Sequence, residues 1–451
     1  MKKVLPILLL FFSSCFLFED EKDKDKQNTN LTLSLHSAGV TTVNLNVNPE
    51  DSLAQFTFEL TRDDSTVQTL SIQSDTLIKD TGLNPNTTYT YKGYWINGTE
   101  RIGESETLTV TTMDTTSHNF TWEIDTLGIY GSYLNDVWIV DENNIWVVGL
   151  IVLPDPDSSH NGTGRENYNA AHWDGNEWEF IKVMPPGGYV TPVRCIYYFN
   201  DNDIWFGKGG LPIHWDGEEF FQYHPGNSSH PGQPSIEAIW GTSSNNIYFV
   251  GHDGSIVYYN GVEFQEMESG TDIKLKNISG SPNGDNIYVT GFNDSDEWGG
   301  YSIALSYKGE WNTLREENHF YPTYGSDEFG LISSVWCTAD TAYFMTYSGL
   351  RTYSIITNEE RLKINRYSMG ASDRHIIKFS GNSLNDIIFV GSFGHLIHFN
   401  GFSWRQMFGL NNQYPNGQLS IWGMDYNENL VVAVGDLFNY EKAVIVIGKR
   451  E

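Results

Sequence analysis

At 451 residues the chain is too long for one ordinary core, and its 57 acidic against 27 basic side chains give a formal charge of −30. That balance excludes gripping phosphate backbones, because no surplus of Lys or Arg exists to displace counterions, so no nucleic acid is expected as a partner. Aromatics at 14%, 43 glycines and short apolar runs broken by Gly, Asn and Asp point to an all-β chain rich in turns.

The chain opens on Lys2 and Lys3, an apolar run from Val4 to Phe12, and Ser13-Ser14 ahead of Cys15. A basic start, a short apolar stretch and small residues are the parts of an export signal, and the run is too short to span a bilayer as a helix. Ending on Cys, residues 1–14 resemble a bacterial lipoprotein signal, which implies acylation of Cys15 and attachment to a lipid bilayer. An ordinary secretory signal cut elsewhere is the alternative. Residues 15–30 are charged and without periodicity, a solvated tether. Their Glu19-Asp20-Glu21 is similar to the export tag of surface lipoproteins in Bacteroidetes-type bacteria, which implies an outer-membrane anchor and exposure at the cell surface; a plain charged spacer reads the same.

Residues 31–114 alternate apolar and polar side chains in runs of five to eight, among them Leu31 to Leu35, Thr42 to Val47, Ala54 to Leu60 and Thr87 to Ile96. Period two is the signature of strands with one face buried, and about seven strands in this length suit a β-sandwich. The stretch Leu83-Asn84-Pro85-Asn86-Thr87-Thr88-Tyr89 resembles the E–F corner of fibronectin type III domains, which implies a Tyr hydroxyl bracing the upstream backbone. The family's Trp on the second strand is replaced by Leu45 and Val47. Such a unit is expected to act as a spacer.

From Asn135 onward one pattern recurs. Its first half appears as Asn135 to Gly149, Cys195 to Gly207, Ala238 to Gly251, Asn277 to Gly291, Ser334 to Thr346, Lys378 to Gly391 and Ser420 to Gly435. Its second half is an aromatic strand ending on a turn such as Asp174-Gly175, Asp216-Gly217 or Asn260-Gly261. A repeat of this length with four strands per unit is the pattern of a β-propeller, since each unit stays marginal until its neighbours cover it. The repeats resemble bacterial propellers of the WD and two-component-regulator kinds. The last unit stops short of a fourth strand, and Phe120 to Leu127, with Trp122 matching Trp178, is expected to supply it. The fold expected is therefore a fibronectin type III-like sandwich followed by a seven-bladed propeller over 115–451, six or eight blades being the alternatives.

In such a blade the turns joining strands one to two and three to four share one face of the disc, and all the long insertions fall on the other. The insertions expected there, Leu153 to Tyr168, His224 to Ser235, Phe292 to Tyr301, Arg315 to Gly330 and Phe408 to Gln418, carry Arg165, Tyr168, Trp298, Tyr301, His319, Tyr321, Tyr324 and Tyr414. Aromatic faces beside charged groups suit a glycan or a protein ligand; packing of the loops onto the disc is the plainer role. Metal chemistry has two thin candidates. One is convergence of His160, His224, His230 and His319; the other is Ca²⁺ held by Asp294, Asp296 and Glu297 or by Asn200 to Asp203, where turn formation explains the residues as well. His172, His214 and His398 share one repeat position and read as packing residues. Trp138, Trp240, Trp336 and Trp422 read as one inter-blade position on the first strand. Cys195 and Cys337 fall in different blades and are expected to be free buried thiols.

No sialidase box, Gly-x-Ser-x-Gly elbow or P-loop is present. The function expected is a non-catalytic, monomeric cell-envelope lipoprotein binding a glycan or protein on its long-loop face, without a cofactor. A propeller-fold polysaccharide lyase or glycoside hydrolase is the rival.

Overall fold

The computed structural model describes residues 31–49, 56–156, 164–224, 235–294, 300–322, 328–355, 360–365, 369, 376–391, 394–407, 419–437 and 440–451. The signal, Cys15 and the tether lie outside them. The chain divides into two compact units between Met113 and Asp114.

In the first unit, Leu31–Ala38, Thr42–Pro49 and Thr76–Thr81 form one antiparallel sheet. Ser65–Ile72, Phe56–Arg62, Thr88–Asn97 and Glu100–Glu104 form another, with Leu108–Thr111 paired to the long strand as well. Alternation sets the inward face: along Thr88–Asn97, Tyr89, Tyr91 and Trp95 are buried while Thr88 and Thr90 are exposed. Leu45 and Val47 from one sheet and Phe58, Leu60 and Tyr91 from the other meet in a single core. Tyr89 accepts a hydrogen bond from the Asn84 N–H at 2.9 Å, the brace expected of a Tyr at that corner.

The second unit is a β-propeller. Among the described residues it has seven four-stranded antiparallel sheets. The first, innermost strands are Tyr133–Asp141, Cys195–Asn200, Ile236–Ser243, Leu275–Gly280, Ile332–Cys337, Ile376–Ser383 and Leu419–Asn427. Each lies against the next, and the seventh lies against the first, so the ring closes. Both sheet faces are covered by neighbours, which is why Asn246–Gly251 is buried from Ile247 onward and Asp386–Gly391 throughout.

Closure is made by Phe120–Leu127, which pairs with Ala443–Arg450 from Leu127 opposite Ala443 to Phe120 opposite Arg450. Sheet seven is thus built from both ends of the unit, and the outer edge of Ala443–Arg450 is paired. The Trp122 indole lies over Gly448, where a Cβ would come within 2.4 Å of the ring.

The hairpins expected to break into loops between strands two and three are longer than their alternation suggests. Asn144–Pro154 and Arg165–Trp173 stay paired out to Pro154 opposite Arg165, and Ile287–Asp294 pairs with Gly300–Tyr307 out to Asp294 opposite Gly300. Arg165, Tyr168 and Tyr301 are therefore strand residues rather than loop residues. Backbone pairing continues there because an antiparallel ladder needs no apolar pattern to extend.

Candidate functional site

The first strand of a blade has a partner on one side only; its other edge faces the axis, leaving N–H groups that must be satisfied elsewhere. Polar side chains of the preceding blade supply acceptors. Asp136 accepts from Ile196 N–H at 3.3 Å, Asn277 from Val335 N–H at 2.9 Å, Ser279 from Cys337 N–H at 3.1 Å and Asp425 from Ile139 N–H at 2.8 Å. Lys378 of blade six reaches past blade seven to Asp136 of blade one, Nζ to Oδ1 2.7 Å. Gly423 lies at the same register in blade seven, and a Cβ there would meet the Asp136 Cα at 2.7 Å. Burial opposes the Lys378 charge, but Asp136 outweighs it and raises the ammonium pKa. Asp425 is pushed the other way: burial raises its carboxyl pKa despite the Ile139 and Tyr426 N–H groups.

Above this layer the ladder slips. In six blades the register shifts by one residue near the start of the first strand, between Leu134 and Asp136, Ile236 and Ala238, Leu275 and Asn277, Ile332 and Ser334, Ile376 and Lys378, and Ile421 and Gly423. A bulge leaves one residue unpaired and re-aims its side chain. The extra residues are Asn135, Glu237, Lys276, Ser333, Ile377 and Trp422; Arg194 holds the same place in blade two. All seven line one axial cavity of about 850 Å³ that opens toward the long-loop face. They form a collar, one side chain per blade.

The recurring glycine of the second strand follows from this collar. The bulge folds the first strand's backbone onto residue 149, 251, 291 or 435, where a Cβ would lie 2.2, 2.0, 2.3 or 1.8 Å from a carbonyl oxygen. Blade five carries Thr346 at this register.

The collar is uneven. Blades two to four contribute Arg194, Glu237 and Lys276, with Lys274 beside them. Glu237 Oε1 lies 2.9 Å from both Lys274 Nζ and His252 Nε2. Burial opposes its ionisation, yet Lys274, Arg194 and His252 hold its carboxyl below the usual range. The Lys276 ammonium sits 3.7 Å from the centre of the Phe292 ring. Around the rest of the mouth stand Ile377, Leu331, Trp422, Tyr440, Phe320 and Tyr321. Trp422, Tyr440 and Tyr321 are 42%, 50% and 43% exposed.

Of the candidate ligand-binding residues read from the sequence, Tyr321 is the one among the described residues that lines this cavity, together with the four tryptophans read as packing residues, Trp138, Trp240, Trp336 and Trp422. Tyr168 packs on Phe180 at 5.6 Å beneath the Lys182 ammonium. Arg165 is exposed at the end of the same hairpin. Tyr301 borders a separate hollow with Asp272, Asn293 and Glu316. His319 pairs with Glu328 at 3.4 Å and Asn318 at 2.7 Å. Trp298, Tyr324, Tyr414, Asp296, Glu297, His160 and His230 lie outside the described residues. Asp294 ends a strand, and among the described residues no group of three His, Cys, Asp or Glu is placed to hold a metal. Asn200 to Asp203 forms a turn, with Asn200 Oδ1 accepting from Asn202 N–H at 3.0 Å.

His172, His214 and His398 each bond to the second strand of their own blade, at Asn144, Asp203 and Asp386, with the first two stacked on Trp146 and Trp205. The four tryptophans do not share one position. Trp138, Trp240 and Trp336 lie at the level of Asp425, and Trp240 and Trp336 cover Gly280 and Gly381 of the next blade. Trp422 lies three residues earlier in its strand, on the bulge, so its indole is aimed at the mouth and donates to Asp436. Cys195 and Cys337 are free and buried, and burial raises both thiols.

No protein-family description and no curated protein matches the sequence. Solved structures do. YCF48 bound to D1 peptide aligns with a TM-score of 0.51 at 14% identity, over 75% of this chain and 97% of that one. The extracellular domains of the hybrid two component systems BT4673 and BT3049 from B. thetaiotaomicron each align with a TM-score of 0.49 at 12% identity. These alignments cover 72% and 92% of this chain, and 40% and 51% of theirs. The likeness to YCF48 is one of fold.

Proposed function

We propose that this chain is a non-catalytic cell-envelope lipoprotein whose propeller holds a glycan or protein ligand at the mouth of its axial cavity. The observation that carries this reading is the collar, in which a backbone irregularity repeated in six blades, with Arg194 at the same place in blade two, sets one side chain per blade around a single opening. Bulges are over-represented at sheet edges and next to functional sites, where they re-aim a side chain. In this reading Cys15 is acylated, residues 15–30 are the tether, and the first unit is a fibronectin type III-like sandwich that spaces the propeller from the membrane.

Two further points support it. A glycoside hydrolase of the common two-carboxylate kind needs a carboxyl group free to move a proton. In the cavity Asp136 is held by Lys378 and a backbone N–H, Glu237 by Lys274 and His252, and Asp425 by two backbone N–H groups. YCF48, of the same fold, is bound to a peptide, which favours a protein ligand over a glycan.

The test is a titration of Trp fluorescence against panels of peptides and oligosaccharides, repeated with Trp422→Ala and followed by turnover assays on every hit. A hit that Trp422→Ala weakens and that is not turned over supports the proposal. Turnover abolished by changing one cavity carboxylate would establish the enzyme instead.

A further inference from the structure

We infer that the collar selects a peptide segment in which a carboxylate lies beside an aromatic or aliphatic side chain. This deepens the binding role proposed above and rests on it.

The inference starts from a mismatch between the mouth and the molecule. The chain has roughly two acidic residues for each basic one, as its charge of −30 reflects. The cavity reverses this, with Arg194, Lys274, Lys276 and Lys378 against Asp136, Glu237 and Asp425. Lys378 and Asp136 cancel, and Asp425 lies where burial favours its neutral form. The rim that remains is cationic over blades two to four: Arg194, Lys274 and Lys276 around Glu237. An acidic segment is repelled by the rest of the surface and attracted here, so the field directs it to one place.

The opposite arc supplies the second half of the specificity. Ile377 is half-buried, Leu331 and Ile376 lie beneath it, and Trp422 and Tyr440 are exposed. Aliphatic groups offer nothing to the hydroxyls of a sugar ring but suit apolar side chains, which favours a peptide over a uronic acid chain. A ligand spanning the mouth meets cations on one side and apolar surface on the other.

The probe is an acetylated, amidated decapeptide built on a Gly-Ser backbone with two Glu and two Phe. Controls replace Glu by Gln, or Phe by Ser, and a galacturonate oligomer carries the same number of carboxylates. With the whole chain, the Glu/Phe peptide is expected to bind about tenfold tighter than either peptide control. Arg194→Gln with Lys276→Gln, both at the solvent-facing rim, should remove most of the preference for Glu while leaving the melting temperature unchanged. Glu237→Gln should strengthen binding of the Glu/Phe peptide, a gain that misfolding cannot mimic. Equal binding of the Glu and Gln peptides, both sensitive to Trp422→Ala, would overturn this inference and leave the binding role standing. Tighter binding of the galacturonate oligomer would overturn the assignment to a peptide. Absence of binding by every probe, set against a hit of other chemistry from the panels above, would likewise overturn it; absence in both would remove the binding role too.

Discussion

The Nδ1 atoms of His118 and His398 stand 2.7 Å apart, joining the segment that leads into the closing strand to the third strand of blade six. One proton serves that contact, so one ring donates and the other accepts. The other nitrogens are engaged as well, His118 with Ser403 at 2.9 Å and His398 with Asp386 at 3.0 Å. Burial, followed by the charges of His398, Arg405 and Arg450, lowers His118 to about 4, and burial lowers His398. An unfolded His titrates near ~6.5. Between those values the unfolded chain binds more protons, so stability is complete above about pH 6.5 and falls toward pH 4. Partial exposure limits the loss through His118 to about 1–2 kcal/mol. Urea midpoints of the wild type should drop between pH 7 and 4.5, and His118→Phe should flatten that slope. An unchanged slope would remove His118 from the account.

Asp386 extends the dependence to lower pH. Its own burial opposes ionisation, but His398, Arg450, Asn382 and Tyr426 hold its carboxyl far below the ordinary carboxylate range. Its contribution is present above about pH 4 and is lost as the pH falls further. Asp386→Asn should therefore cost most at neutral pH and progressively less in acid, measured as the difference in unfolding free energy between pH 7 and 3.

Lys378 and Asp136 should behave as a coupled pair. Lys378→Met leaves a partly buried carboxylate without its cation, at an expected cost of about 1–3 kcal/mol. Asp136→Asn in the same background should recover much of that loss, since Asn still accepts from Ile196 N–H without a charge to compensate. A double-mutant cycle by chemical denaturation measures the coupling. Additive losses would mean the contact carries no net interaction.

The repeat glycine should resist the smallest enlargement. Gly251→Ala places a methyl 2.0 Å from the Ser235 carbonyl oxygen, so the bulge must flatten or the strands must part. The expected cost is about 1–3 kcal/mol. The same change should withdraw Glu237 from the mouth, read as altered ligand affinity in a protein that still folds.

Gly448→Val should weaken ring closure at its seam. The added carbons collide with Trp122, and the closing strand must leave Ala443–Arg450 or shift along it. An expected loss of about 1–3 kcal/mol should come with concentration-dependent association, because an unpaired strand edge is a template for another chain. Size-exclusion elution unchanged across a hundredfold range of concentration would count against that seam as the weak point.

The ring was readable because most blades solve the same problem with the same devices: alternation, an Asp-Gly or Asn-Gly turn, and a glycine closing the second strand. The closing strand was readable because Trp122 repeats the place of Trp178. The mouth was harder. Aromatic content drew attention to Tyr168, yet that side chain follows the pleat of a hairpin and packs on Phe180. In sequence Trp422 matches the other three tryptophans, because a one-residue bulge cannot be seen in a strand's composition. A signal did exist: Asn135, Arg194, Glu237 and Lys276 each stand three residues before the residue that lines the axis at the level of Trp138. Aligned as a column, those positions are polar directly after an apolar residue, Leu134, Val193, Ile236 or Leu275.

Because the collar residues stand outside the strand ladder, most of them can be exchanged without disturbing what holds the ring together. The scaffold and its selectivity are thus under separate control, blade by blade. A propeller built this way could acquire a new partner through a handful of point changes at one height, while its buried glycines and staples stayed as they are.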